Sequence, residues 1–350
     1  MTGLRVVEFA SIGPGPYCAM LLADLGAEVI RIDRPGGNGW PNPIMDRGRA
    51  ALTIDLAAVE GRAQAADIVA LADVLIEGLR PGVMERLGLG PDAMLVRNPR
   101  LIYGRMTGWG QEGPLARTAG HDINYVALTG ALAAIGRPGE PAVAPLNLLG
   151  DFGGGSLFLA FGIMAALWER ERSGAGQVVD AAIVDGVTSM MSMFMGLQPA
   201  GLISLDRAEN FLGGAAPFYR CYRCADGREI AVGAIEPHFW RIVRDRLDAP
   251  DFVTQDRAGW DASIAWLEAT FASRPQAHWI ALFDGSDACV APVLTLDEAR
   301  AHPHHRARQT FASAGGLDQP APAPRFSRTP GAIGPTRSGD ERLADWTAAR

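Results

Sequence analysis

Two short stretches of the chain carry side chains suited to proton transfer. In the first, Ala119–Tyr125, His121 follows Gly120 and precedes the carboxylate of Asp122. An imidazole has an ordinary pKa of about 6.5, so it gains and loses protons near neutral pH. A lone histidine at the edge of an apolar segment is more often a structural residue, and this stretch alone leaves both interpretations open.

The second stretch places Asp151 before three glycines and a hydrophobic helix predicted from Ser156 to Trp168. One interpretation makes Asp151 a helix N-cap, a common role for aspartate. The other makes it a catalytic group, because the glycines let a ligand approach and the helix N-terminus beyond Gly155 favours developing negative charge. One residue can serve both purposes.

The charge composition restricts the chemistry. The chain contains 32 basic residues, all of them arginine, and its net charge is -7. Schiff-base chemistry, a pyridoxal phosphate anchor and a P-loop lysine are therefore excluded. An anionic ligand must be held by arginine, backbone N–H groups or helix N-termini, and the acidic balance argues against nucleic acid as a partner.

The N-terminal segment predicts a parallel strand pair. Strands are expected at Leu4–Phe9 and Glu28–Ile32, with a helix over Tyr17–Leu25 between them, and such a unit has a right-handed crossover. Gly13, Gly15 and an acid about 20 residues further on resemble a dinucleotide-binding fingerprint. The fingerprint's third glycine is Cys18 here, and the prolines on both sides of Gly15 remove backbone donors, so a dinucleotide site is not favoured.

Three charged residues follow predicted strands. They are Arg34, Asp55 and Arg80, and open α/β sheets bind ligands at the carboxyl ends of their strands. Arg34 suits a phosphorylated or adenine-bearing ligand. Scattered arginines on a solvated surface are the alternative.

Length and texture predict two domains, since domains commonly span roughly 100 to 200 residues. Residues 1–190 form a large α/β domain and 191–217 a linker. Short strands and helices over 218–310 predict a smaller α+β domain, and 311–330 is a returning linker that ends in a proline-rich arm.

Cysteine usage and hydropathy predict a soluble cytoplasmic protein. Four cysteines are few for this length, and Cys221 with Cys224 fits a strand better than a zinc or redox site, so no metal is expected. The longest apolar run, 157–168, is shorter than the roughly 20 residues that cross a bilayer, and the N-terminus lacks signal-peptide features. No membrane partner is expected.

Eight motifs together resemble the racemases of the class III CoA-transferase family, over nearly the whole chain. The motifs are Gly13–Pro16, Arg31–Pro35, Arg80–Val83, Arg105–Gly110, Gly120–Tyr125, Asp151–Gly155, Gly233–Pro237 and Asp287–Val290. The resemblance implies a doubly wound, mostly parallel sheet in the large domain, which residues 320–350 complete. It also implies an interlocked homodimer and no cofactor, because CoA is part of the substrate.

The resemblance also assigns site residues. The family's catalytic histidine and aspartate match His121 and Asp151, and the glutamate that pairs with the histidine matches Glu236. The substrate and CoA contacts match the following positions: Arg34, Ile54, Asp55, Leu56, Gly78, Arg80, Arg86, Gly120, Asp122, Asn124 and Tyr125. Relatives often have lysine where this chain has Ala57, so the charge around the CoA phosphates is expected to be weaker.

The implied reaction inverts carbon 2 of a 2-methylacyl-CoA thioester. Such an inversion needs one base on each face of a planar enolate, with donors for the enolate oxygen. His121, steadied by Glu236, serves one face, and Asp151 serves the other. The alternative is a formyl-CoA-type CoA-transferase that uses Asp151 as a covalent carrier. A protein that binds CoA thioesters without turning them over is a third hypothesis.

Overall fold

The computed structural model describes residues 1–37, 41–335 and 337–348 of the 350-residue chain. The chain forms two compact units. The first comprises residues 1–131, 145–190 and 308–350, and the second comprises residues 132–144 and 191–307.

A six-stranded parallel sheet forms the centre of the first unit. Its strand order is β3-β2-β1-β4-β5-β6. The strands are β1 Arg5–Phe9, β2 Glu28–Asp33, β3 Arg49–Thr53, β4 Val74–Glu77, β5 Ile102–Thr107 and β6 Gln177–Ala182. The inner strands are runs of valine, isoleucine and leucine that are buried on both faces, as a sheet covered by helices requires. The predicted α/β class with a parallel sheet is confirmed.

Within the described residues, seven α-helices lie between Pro14 and Met190 and accompany these strands along the chain. They are α1 Pro14–Asp24, α2 Val59–Val69, α3 Val83–Arg86, α4 Pro91–Arg97, α5 Asp122–Leu128, α6 Phe158–Ser173 and α7 Ile183–Met190. Local features set both ends of α5. Helix α5 begins at Asp122 because the Asn124 side chain accepts the backbone N–H of His121. It ends before Gly130, whose φ of 84° is not helical.

Asp151 lies inside a helix and not ahead of one. Residues Leu148–Leu157 form a π-helical stretch that continues directly into α6. The predicted N-cap role of Asp151 and the predicted helix N-terminus beyond Gly155 are therefore wrong. The three glycines do not form a loop, because Gly154 packs closely against Gly186 on α7 and the helix continues through them. π-Helical stretches are rare in proteins, and those that occur often lie at functional sites.

The joined helix Leu148–Ser173 is longer than the apolar run seen in the sequence. It has 26 residues and a mean hydropathy of 1.5 over its most apolar part, which by length and composition is enough to cross a membrane. This is weak evidence, since a core helix of a soluble protein has the same properties. Leu159 and Ile163 pack over Gly104 of β5. The absence of a membrane partner stays a prediction.

The second unit contains a three-stranded antiparallel sheet, in the order β7-β8-β9, and six helices. The strands are β7 Tyr219–Arg223, β8 Glu229–Gly233 and β9 Val290–Pro292. The helices are α8 Ser192–Leu197, α9 Pro237–Arg246, α10 Trp260–Phe271, α11 Gln276–Phe283, α12 Leu296–Ala301 and α13 Pro303–Arg308. The core of this unit is aromatic, with Tyr222, Phe271 and Trp279 in contact.

The C-terminal segment returns to the first unit. Strands β10 Phe311–Ala314 and β11 Leu317–Pro320 form a hairpin within the predicted linker, and α14 spans Gly339–Ala348. Helix α14 packs on β2 and β3. Its Trp346 is fully buried, and the indole N–H donates to Glu28 Oε2 at 2.7 Å.

Candidate active site

A cleft opens at the carboxyl edge of the sheet, where the strand order reverses between β1 and β4. Ligands of open α/β sheets bind at such a switch point. The cleft has a volume of about 330 Å³, within the range of small-molecule sites. Its walls come from residues 11–15 after β1, 78–81 after β4, 106–109 at the end of β5, and 116 and 118–121, with Tyr125, Asp151 and Ile183.

His121 lies at the N-terminal end of α5 with an exposed side chain. Its backbone is held by Asn124, whose Oδ1 accepts the His121 N–H at 3.1 Å. Tyr125 packs edge-on against Trp109 at 4.8 Å between ring centroids, and its hydroxyl donates to the carbonyl oxygen of Gly120. These contacts fix the peptide on both sides of the imidazole, which lines the cleft.

Asp151 faces the same cleft from the π-helical stretch. Asn147 Nδ2 donates to Asp151 Oδ2 at 3.4 Å, and the Ser156 hydroxyl donates to the Asp151 carbonyl oxygen at 3.1 Å. Gly13 borders the carboxylate, and a Cβ there would lie 3.1 Å from Asp151 Oδ2. Gly13 also has a φ of 78°, which side-chain-bearing residues rarely adopt. A glycine at this position therefore keeps the space beside the carboxylate open.

The surroundings of Asp151 favour its neutral form. Burial raises the pKa of this carboxyl above its ordinary value of 3.8, and the charge of Asp122 raises it further. The hydrogen bond from Asn147 and the nearby His121 oppose that shift. A raised carboxyl pKa in a cleft is typical of groups that exchange protons.

Six of the predicted site residues lie together in this cleft. They are Gly78, Arg80, Gly120, His121, Tyr125 and Asp151. Arg80 is the guanidinium group in the cleft wall, among residues 78–81 that follow β4. The cleft thus combines a cation, an imidazole and a carboxyl group.

Seven other predicted site residues lie outside the cleft wall. Arg34, Asp55, Arg86 and Asn124 are exposed, and Leu56 is half-buried. Ile54 is 2% exposed and belongs to the hydrophobic core. Asp122 is buried, and its carboxylate turns towards the backbone of Asp151.

Glu236 belongs to the second unit. It directly precedes α9, whose first residue is Pro237, and it is exposed. Its predicted pairing with His121 stays a prediction.

Several cleft residues were not among the predicted site residues. They are Ser11 after β1, Thr107 and Trp109 at the end of β5, and Ile183 after β6. The signal that identifies them is the one used for Arg34 and Arg80, because each follows a parallel strand at the same edge of the sheet.

Comparison with known proteins agrees with this architecture. The model of the family described as CoA-transferase family III matches residues 1–337. The chain is 47% identical to the alpha-methylacyl-CoA racemase of Mus musculus and 45% identical to that of Homo sapiens; each alignment covers 94% of this chain and 87% of the relative. It is 30% identical to the acetyl-CoA:oxalate CoA-transferase of Acetobacter aceti, over 91% of this chain and 87% of that protein.

Solved structures agree as well. A CAIB/BAIF family protein from Brucella suis superposes with a TM-score of 0.83 at 26% identity, covering 100% of this chain and 99% of that chain. Rv3272 from Mycobacterium tuberculosis superposes with a TM-score of 0.79 at 27% identity, covering 98% of each chain. The resemblance of the sequence motifs is thereby confirmed, and the chain belongs to the class III CoA-transferase family.

Proposed function

We propose that this protein is an isomerase that inverts carbon 2 of 2-methylacyl-CoA thioesters by proton transfer between two bases. The observation that carries the proposal is that His121 and Asp151 line one cleft at the switch point of the sheet. The racemase relatives, at 45 to 47% identity, support the same reaction.

The proposed reaction has two proton transfers. One base removes the proton from carbon 2, and the electron pair of the broken C–H bond moves to the thioester carbonyl, giving an enolate. The conjugate acid of the other base then donates a proton to the opposite face of carbon 2. His121 and Asp151 exchange these roles when the opposite enantiomer is the substrate.

The raised pKa of Asp151 suits this exchange. The two bases share one proton. Turnover of one enantiomer requires that proton on Asp151, and turnover of the other enantiomer requires it on His121. Burial raises the pKa of the Asp151 carboxyl above its ordinary value of 3.8, which favours the arrangement in which Asp151 holds the proton.

Binding of the CoA portion relies on arginine and backbone groups. Arg80 lies in the cleft wall, and Gly78 and Gly120 allow close approach to the backbone. In this proposal Arg34, Ile54, Asp55, Leu56 and Arg86 contact the CoA outside the cleft. Glu236 steadies the His121 imidazole.

The proposal includes a homodimer in the cytoplasm. A stripe of apolar side chains on one side of α6 supports a partner subunit: Leu157, Phe161, Met164 and Trp168 recur at helical spacing, and Phe161 and Trp168 are 74% and 66% exposed.

Hydrogen exchange in deuterated water tests the function. The protein is incubated with a single enantiomer of a 2-methylacyl-CoA and no acceptor acid. We expect deuterium at carbon 2 together with loss of optical purity. A CoA-transferase that uses Asp151 as carrier would react only when an acceptor acid is added. A binding protein would neither exchange the proton nor transfer CoA. Each of these two results would overturn the proposal.

A further inference from the structure

The carboxylate of Asp122 is directed into the protein and not into the cleft. The residue is 9% exposed, and its Oδ1 accepts the backbone N–H of Asp151 at 2.6 Å. The backbone of Gly150 hydrogen-bonds to the same carboxylate. Asp122 therefore holds two successive peptide groups at the position of Asp151, 29 residues further along the chain.

The chain is shaped to admit this carboxylate. A Cβ atom at residue 150 would overlap Asp122 Oδ1 and would lie 3.0 Å from a methyl group of Val126. Gly150 thus provides the space in which the carboxylate reaches the π-helical backbone.

The carboxylate is not neutralised by a cation. Within the described ranges of the chain, Asp122 takes part in no ion pair, and its Oδ2 is buried without a hydrogen-bond partner. Leaving a buried polar atom unpaired is destabilising. Burial raises the pKa of the Asp122 carboxyl above its ordinary value of 3.8, whereas the backbone N–H groups of Asp151 and Gly150 oppose that shift because they stabilise the charged form.

We propose that Asp122 is a positioning residue for the two-base reaction: it fixes the backbone of Asp151 and keeps a negative charge against the catalytic carboxyl. This inference rests on the proposed function. The charge favours the protonated form of Asp151, which is the form that donates to the enolate, and it acts in the same direction as burial on the pKa of Asp151.

Other titratable groups lie on the elements that pack around Asp151. His121 opposes the effect of Asp122, and Tyr125 on α5 interacts with both Asp151 and Arg80. Tyr17 on α1 packs against Phe152. The acid on α7, Asp185, acts on Asp180 of β6, while Arg105 of β5 pairs with Glu77 and Glu85. Among these groups, Asp122 is the one whose carboxylate is bonded to the Asp151 peptide.

Two substitutions separate the backbone contact from the charge. Asp122→Asn keeps an oxygen acceptor for the Asp151 N–H and removes the charge, whereas Asp122→Ala removes both. Racemisation is measured as kcat and KM across pH. The active His121–Asp151 pair carries one proton. On the acid side of the pH profile both bases become protonated, so kcat/KM falls there, and this fall is the acid limb.

For Asp122→Asn we expect the acid limb to move to lower pH, with kcat within about tenfold of the wild type. For Asp122→Ala we expect kcat to fall by about a hundredfold with KM changed by less than about threefold, because the carboxyl is misplaced. If Asp122 were purely structural, both substitutions would lower thermal stability and leave the acid limb at the wild-type pH. That result would overturn the inference.

If Asp122→Ala does not fold, the acid limb of Asp122→Asn decides alone. Failure of this inference is distinct from failure of the proposed function. In the first case the wild type exchanges the proton at carbon 2 and Asp122→Asn keeps the wild-type acid limb. In the second case the wild type itself does not exchange.

Discussion

At the scale of single residues, the site pairs an exposed imidazole with a partly buried carboxyl. His121 has solvent and the cleft on its open side, whereas Asp151 lies between Asn147, Ser156 and Asp122. The two residues could be selected from the sequence because histidine after glycine and aspartate before glycines are visible locally. The inward turn of Asp122 could not, since it depends on a contact between segments 29 residues apart.

Replacing Asp151 by asparagine is expected to stabilise the protein at neutral pH. The pKa of Asp151 is raised in the folded state, so the charged form costs stability above the ordinary value of 3.8, and the full cost is present above the folded pKa. Below both values the carboxyl is neutral in either state and the cost disappears. Asp151→Asn should raise Tm by roughly 2–4 °C at pH 7 and leave it unchanged near pH 3.

The matched control is Asp284→Asn, which changes an exposed aspartate. Calorimetry of both variants at the two pH values checks the sign. A lower Tm for Asp151→Asn at pH 7 would contradict the assignment of Asp151 as a buried carboxyl held towards its neutral form.

At the scale of elements, the position of Asp151 depends on the crossing of the π-helical stretch with α7. Three consecutive glycines predict a loop because glycine is a poor helix former. Tertiary packing overrides that preference, since Gly154 lies against Gly186 and Gly155 lies against Pro14. Local propensity contains no information about such a crossing, which explains why the strands Leu4–Phe9 and Glu28–Ile32 could be predicted and the helical course of the chain through these glycines could not.

Adding a methyl group at the crossing should displace the π-helical stretch that carries Asp151. A Cβ at residue 186 would overlap the carbonyl oxygen of Gly154. Overpacking of this kind costs about 1–3 kcal/mol, so Gly186→Ala should lower Tm and kcat together. The control is Gly196→Ala on α8, where nothing lies within 4 Å of the added Cβ and a helical alanine is favourable by about 0.5–1 kcal/mol. Equal thermal stability of the two variants would contradict this description of the crossing.

At the scale of the whole molecule, the sheet order determines where the cleft forms. The sequence predicts parallel strands and a ligand edge from the strand–helix–strand unit and from Arg34, Asp55 and Arg80. It does not predict that β4 pairs with β1, because strand order depends on long-range packing. That pairing brings residues 11–15 and 78–81 together in the wall of one cleft, while Arg34 and Asp55 remain outside it.

Charged substitutions in the exposed apolar stripe of α6 are expected to change the oligomeric state of the protein. We expect the wild type to sediment at twice the chain mass of 37.2 kDa. Phe161→Glu combined with Trp168→Glu should convert it to the single-chain mass, because two charges would have to be buried against the partner. Phe252→Glu, at a phenylalanine that is 52% exposed, is the control and should leave the mass unchanged. A wild type that sediments at the single-chain mass would contradict the dimer.

The two-base reaction is tested most directly by combining the exchange experiment with single-site variants. Each pure enantiomer of a 2-methylacyl-CoA is incubated in deuterated water with the wild type, His121→Ala or Asp151→Ala, and deuterium and configuration at carbon 2 are followed together. We predict that the wild-type product of inverted configuration carries deuterium from its first turnover. Each variant should lose racemisation by at least about a hundredfold, while retaining exchange of at most one enantiomer. Racemisation of both enantiomers at the wild-type rate by either variant would contradict the assignment of His121 and Asp151.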